Sequence, residues 1–165
     1  MTTARLEDLP THLARGQRLL GLDLGEKTIG LAISDRGRTV ASPLETIRRS
    51  KFTTDAKALA AIVAERGVGG LVVGLPVNMD GSEGPRCQSV RQFAANLIEL
   101  AGFELPIAFW DERLSTAAVE RLLIGEADLS RKRRGEVVDK MAAAYILQGA
   151  LDALQRPGAR ARPAT

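Results

Sequence analysis

The stretch RLLGLDLGEKTIGLAIS, residues 18–34, decides the fold. Arg18–Leu24 and Thr28–Ser34 are short runs rich in Leu and Ile, and Gly25-Glu26-Lys27 between them has the composition of a tight turn. Asp35-Arg36-Gly37 is a second turn signal, and Thr39–Ile47 follows as a third, more irregular strand broken near Pro43. Working outward, Thr53–Arg66 carries Ala56, Leu59, Ala60 and Val63 at helical spacing and stops at Gly67. Gly70–Leu75 is a continuous apolar strand of the kind buried on both faces. Pro76–Pro85 is a polar loop, longer than a minimal connection. Arg86–Ala101 is a helix with Val90, Phe93, Ala94, Leu97 and Ile98 on one face, and Pro106–Trp110 is a fifth strand. Ser115–Ile124 is a helix opened by a Ser/Thr cap, Gly125–Gly135 a basic loop, and Glu136–Leu154 a last helix. Three strands, then helix, strand, helix, strand and helix make a mixed α/β layered domain.

Composition removes several classes of function. The 165 residues allow one domain with a real core, and 45% hydrophobic with 26% charged residues is an ordinary globular balance. No apolar run approaches the ~20 residues that cross a bilayer, and the first residues lack an apolar segment behind a basic start. The expectation is a cytoplasmic protein. One cysteine, Cys87, rules out an internal disulfide framework, and with one histidine, His12, it cannot build the usual zinc site. A catalytic triad would need His12 to fold back from the leader.

Two acidic positions stand out. Asp23 lies inside an apolar strand between Leu22 and Leu24, where a carboxylate is costly unless paired or bound to a metal. Satisfaction by the turn amides of Gly25–Lys27 is the plainer account, but Gly21 and Gly25 also permit close approach of another backbone or a ligand. Asp139 lies in line with Ala142, Ala143 and Ile146 of the last helix, about 100° from the row Glu136, Lys140, Gln148 and Asp152, which is the expected solvent stripe. Asp111-Glu112 ends the fifth strand, where open α/β sheets place ligands. Strand alternation lets only one of that pair face a site shared with Asp23, and spacing does not choose between them. Such an all-oxygen donor set suits Mg²⁺ or Mn²⁺ and the in-line attack of water on a phosphodiester.

Basic groups complete the pattern. Arg131-Lys132-Arg133-Arg134 precedes the helix of Asp139, a position suited to gripping phosphates, although most charge runs are merely solvated. The net charge of +3 is compatible with nucleic acid without requiring it. In the polar loop, Asn78, Ser82 and Arg86 are candidates for phosphate or ribose contacts, against the alternative of a simple Asx-turn loop.

Four collinear stretches resemble the YqgF or RuvX family, Holliday-junction-resolvase-like proteins whose members are often named pre-16S ribosomal RNA nucleases. They are GLDLGEKTIGLAISD (Gly21–Asp35), VVGLPVNMDGSEGPR (Val72–Arg86), DERLSTAAVERLL (Asp111–Leu123) and VVDKMAAAYILQGALD (Val137–Asp152). The resemblance covers a nuclease domain (residues 17–154) and leaves outside it a variable leader (1–16) and a basic tail (155–165), whose Pro/Arg/Ala composition is that of a disordered segment. It implies an RNase H-like fold, a five-stranded mixed sheet with its first three strands antiparallel, flanked by helices. It also implies Asp23, Glu112 and Asp139 as catalytic metal ligands holding Mg²⁺ or Mn²⁺. Lys27 and Arg113 join Asn78, Arg86 and residues 131–134 as the implied nucleic-acid contacts. Related resolvases end the fourth strand with an acid where this chain has Gly74-Leu75, so the site would rely on the fifth-strand acid. The expected activity is endonucleolytic processing of the 5′ end of pre-16S rRNA, with structured RNA and ribosomal precursor particles as partners. Cleavage of branched DNA as a Holliday-junction resolvase and a non-catalytic RNA- or ribosome-binding module are the alternatives. RNA trimming is open to a monomer, whereas junction cleavage favours a homodimer. A sugar-kinase-like phosphotransferase also opens on such a strand-turn-strand, but it needs two such domains and this chain has length for one.

Overall fold

The computed structural model describes residues 3–114 and 131–155, with side chains described throughout these ranges except at 131–137. The expected helix Ser115–Ile124 and the tail beyond Gln155 lie outside the described residues.

Five strands, β1 (Arg18–Leu24), β2 (Thr28–Ser34), β3 (Ala41–Arg48), β4 (Val68–Leu75) and β5 (Ile107–Asp111), form one sheet in the order β3-β2-β1-β4-β5. Short turns make β1–β2 and β2–β3 antiparallel, whereas longer helical crossovers make β1–β4 and β4–β5 parallel. The irregularity expected near Pro43 is a register shift: Leu31 pairs with Glu45 but Ala32 pairs with Pro43, leaving Leu44 as the extra residue. Pro43 is tolerated because β3 is an edge strand.

The leader contributes a short helical segment, α1 (Leu9–His12), and helices α2 (Phe52–Arg66) and α3 (Pro85–Glu99) cover one face of the sheet. Gly67, with φ 64, ends α2 in the left-handed region that favours glycine. Leu20, Leu22 and Leu24 of β1 point to this side and join Leu59, Phe93 and Leu97 in the larger core. The other face is covered by α4 (Arg131–Gln155), whose Ala143, Ile146, Leu147 and Leu151 pack on Leu19, Val72 and Trp110. The helix therefore starts earlier than expected: Arg131–Gly135, read as loop, are already helical. The row assigned to solvent is also different. Ala144, which fills the gap in that row between Lys140 and Gln148, is buried, and the Gln148 side chain accepts from Ala41 N–H at 2.9 Å and donates to Thr39 O at 3.0 Å, tying α4 to the edge strand.

The leader packs against this second layer. Leu9 of α1 is completely buried, and Ala4 N–H donates to Ile107 O at 2.8 Å on the outer edge of β5. His12 itself is exposed. Among the described residues no helix is long and apolar enough to cross a membrane.

Candidate active site

Sheet register builds the site. Thr46 on β3 pairs with Gly30 on β2, and Gly30 pairs with Asp23 on β1. One residue beyond the Leu22–Val73 pair, Asp23 meets the level of Gly74 on β4, which pairs with Trp110 on β5. Asp23 thus stands in a row across the sheet with a glycine on each side. Alternation turns its side chain toward α4, and only 5% of the residue is exposed.

The glycines matter because other acidic residues occupy the space they leave. A Cβ on Gly30 would lie 2.0 Å from the Asp139 carbonyl oxygen, so the backbone of α4 rests directly on β2 at Asp139. A Cβ on Gly74 would lie 2.8 Å from Glu112 Oε1 and 2.6 Å from Ile146 Cδ1. Neighbouring strands are about 4.8 Å apart, which sets Asp139 and Glu112 roughly one strand spacing to either side of Asp23. The Glu112 carboxylate fills the position that a side chain at the end of β4 would take, which accounts for the absence of an acid there.

Alternation also decides between the two acids at the end of the fifth strand. Trp110 and Ala108 point toward α4, whereas Phe109 packs on the opposite core, so Asp111 faces away from Asp23 and Glu112 turns toward it. Asp111 is held by Arg113, whose Nη2 and Nε lie 2.7 and 3.0 Å from Asp111 Oδ2. Those hydrogen bonds hold the Asp111 carboxyl below the usual carboxylate range. Arg113 also donates to Met79 O at 3.2 Å. The guanidinium read as a phosphate contact is therefore engaged within the protein, clamping the loop after β4 to the end of β5.

Asp139 is oriented by a residue that the sequence reading missed. The Thr28 hydroxyl donates to Asp139 Oδ2. Thr28 and Gly30 share a face of β2, so one strand supplies both the gap for the helix backbone and the donor for its carboxylate. A Thr two residues before a Gly in a strand beside Asp23 is the only signal, and without register it points nowhere.

The three carboxylates share the row without being drawn to ligand spacing: among the described residues no group of three His, Cys, Asp or Glu side chains could hold a metal ion. The donor set is nevertheless all oxygen, the chemistry of a hard divalent cation. Around it, Lys27 is exposed on the β1–β2 turn, Asn78 in the loop between β4 and α3, and Arg86 in the first turn of α3. That loop is the Asx-type turn weighed above, with Gly81 N–H donating to Asn78 O at 2.8 Å and Ser82 N–H to Asp80 Oδ1 at 2.9 Å. The backbone of residues 131–134 lies one to two helical turns before Asp139.

A buried aspartate on the first strand of a 3-2-1-4-5 mixed sheet, with a last helix seated against it, defines an RNase H-like fold of the resolvase type. A solved structure of this type, T. thermophilus RuvC in complex with a Holliday junction substrate, superposes with a TM-score of 0.53 at 15% identity, over 83% of this chain and 94% of that one, a likeness of fold. The chain belongs to the RuvX family: the family model, described as Holliday junction resolvase, matches residues 17–153. Among its relatives, a protein of Paramagnetospirillum magneticum named "Putative pre-16S rRNA nuclease" is 70% identical over 145 residues, covering 88% of this chain and 92% of that protein. One of the same name from Rhodospirillum centenum is 65% identical over 159 residues, covering 94% and 84%.

Proposed function

We propose that this protein is a cytoplasmic, divalent-metal-dependent endonuclease that processes the 5′ end of pre-16S rRNA. The observation that carries the reading is the row itself: a nearly buried Asp23 between two glycines, with Glu112 and Asp139 filling the gaps. A purely structural aspartate needs no such clearance. The names of the relatives favour ribosomal RNA over a DNA junction.

In this reading Asp23, Glu112 and Asp139 hold Mg²⁺ or Mn²⁺ within the nuclease domain, residues 17–154. When bound, the metal supplies a lowered pKa for the attacking water and charge stabilisation for the leaving oxygen. The chain's own residues do the positioning. Asp23 is fixed by strand pairing on both sides, Thr28 orients Asp139, and the Arg113–Asp111 clamp fixes the strand end from which Glu112 projects. Lys27, Asn78, Arg86 and the basic residues 131–134 hold the substrate backbone. Ribosomal precursor particles are the natural context, and a single cut asks for one active site, so a monomer suffices.

The test is cleavage of a labelled 16S precursor 5′ fragment and a four-way DNA junction in parallel, with and without Mg²⁺ or Mn²⁺. The expected result is metal-dependent cutting of the RNA and an intact junction. Paired symmetric cuts in the junction alone would transfer the activity to recombination. Binding of both without cutting would make the protein a binding module.

The basic run has its own expected result. Replacing Arg131, Lys132, Arg133 and Arg134 with alanine weakens RNA binding and flattens the slope of log K against log salt, by roughly 0.7–0.9 for each phosphate no longer neutralised. Binding titrations over a salt series measure this. An unchanged slope would return the run to a solvated helix start.

A further inference from the structure

A cleft of about 350 Å³ opens across the β1–β2 turn from the carboxylate row, between that turn and the first half of α3. Leu24 and Phe93 lie at its base, and Arg49, Arg86, Ser89 and Glu26 line it. Arg49 is built into the wall. Its backbone N–H donates to Lys27 O at 2.8 Å, its Nη1 donates to Gly25 O at 2.6 Å, and its guanidinium lies 5.4 Å from the centre of the Phe93 ring. A guanidinium fixed in this way is a flat cationic surface of the kind on which nucleobases stack. Arg86 and Ser89, three residues apart on α3, share one face of the helix and offer a charge and a hydroxyl donor together.

The cleft is also in the right place. Gly25 on its wall is two residues along the chain from Asp23, about 7 Å at strand rise. Leu24 and Asp23 point to opposite faces of β1, so the cleft and the carboxylate row lie on the two sides of one strand end, and a nucleic-acid strand crossing that end meets both. The volume falls at the small end of the roughly 300–1,000 Å³ typical of ligand sites. We propose that this cleft receives one unpaired nucleotide of the substrate strand beside the bond to be cut, its base against Arg49 and its phosphate on Arg86 and Ser89. The position of the strand rests on the nuclease reading given above. The consequence is selectivity: a fully paired duplex keeps its bases stacked and offers nothing to the cleft, whereas a bond bordering an unpaired position is held on both sides.

The experiment uses the full chain in EDTA, so that binding is read without cutting. Fluorescence anisotropy measures affinity for a short labelled single-stranded RNA, a DNA of the same sequence and a blunt RNA duplex. Ser89→Trp fills the cleft, and Arg49→Lys keeps the charge while removing the planar surface. Both variants are checked by thermal melting, and either one that folds provides the test. The expected result is a loss of about tenfold in single-strand affinity with duplex affinity unchanged. Loss for RNA and DNA alike means that base and phosphate are read, and loss for RNA alone adds an interaction with the 2′-hydroxyl; both support the site. Unchanged single-strand affinity, or an equal loss on the duplex, would overturn it. Wild-type cleavage with metal, run alongside, keeps the two readings apart. A cleft effect without cleavage would leave the site standing and remove the nuclease, and the converse would do the opposite.

Discussion

Asp23→Asn is expected to abolish phosphodiester cleavage, by on the order of a thousandfold or more, while RNA affinity stays near that of the wild type. Loss of an outer-shell partner alone typically costs about 10- to 100-fold, and Asp23 is proposed to touch the metal directly. The substitution is nearly isosteric, so strand pairing with Gly30 and the seat of α4 are retained. Glu112→Gln and Asp139→Asn behave alike, because each removes one charge from the same all-oxygen set. Stability distinguishes this account from the plainer one. An Asp23 kept for chemistry adds little to folding, so Asp23→Asn leaves melting in EDTA close to that of the wild type. An aspartate kept to satisfy the β1–β2 turn would show the reverse pattern, with a lower melting temperature and retained cleavage. Parallel measurement of cleavage rate, RNA affinity and melting temperature on the three variants decides it. Full activity in all three would end the metal-site assignment.

Much of the candidate site is legible in single residues, and the parts that are not share one cause. Asp23 is visible because a lone charge in an apolar strand conflicts with burial on both faces, and that conflict exists without any tertiary knowledge. Asp139 is visible because helical periodicity places it in line with Ala142 and Ala143, both buried in the structure. The choice between Asp111 and Glu112 could not be read, since it depends on which face Trp110 takes in a sheet whose register is set by β4. Gly30 and Thr28 were missed for the same reason: their significance lies in what stands opposite them, over a hundred residues away in the chain. The start of α4 was misplaced by local chemistry. A basic run followed by Gly135 resembles a loop, and glycine inside a helix costs about 1 kcal/mol against alanine. The packed turns from Ala142 to Leu154 offset that cost, and only the assembled second layer shows them doing so.

Gly30→Ala carries the second large effect, and it tests geometry where the aspartate series tests chemistry. The added methyl would stand 2.0 Å from the Asp139 carbonyl oxygen and 2.4 Å from its carbonyl carbon. Both are backbone atoms of α4, so no side-chain rotation relieves the clash. Ordinary contact requires the helix to lift by about 1.4 Å at this point or the strand to sink by as much, against a close-packed interior. Overpacking of this kind costs about 3 kcal/mol, which for a chain of this size lowers the melting temperature by roughly 6–12 °C. Cleavage falls further than stability does. The lift separates Asp139 from both Asp23 and the Thr28 hydroxyl, and a displacement near 1 Å costs roughly a hundredfold in rate. Gly37→Ala is the control, since its methyl would meet only Asp35 Oδ2 at 3.4 Å, and it should change stability by no more than about 0.5 kcal/mol. Thermal melting together with cleavage at a temperature where both variants remain folded separates the two effects. A Gly30→Ala protein with wild-type melting would mean that α4 does not rest on β2 at Asp139. One that melts lower but cuts at the wild-type rate would mean that the position of Asp139 is irrelevant to the chemistry, and the row of three carboxylates would lose its helix member.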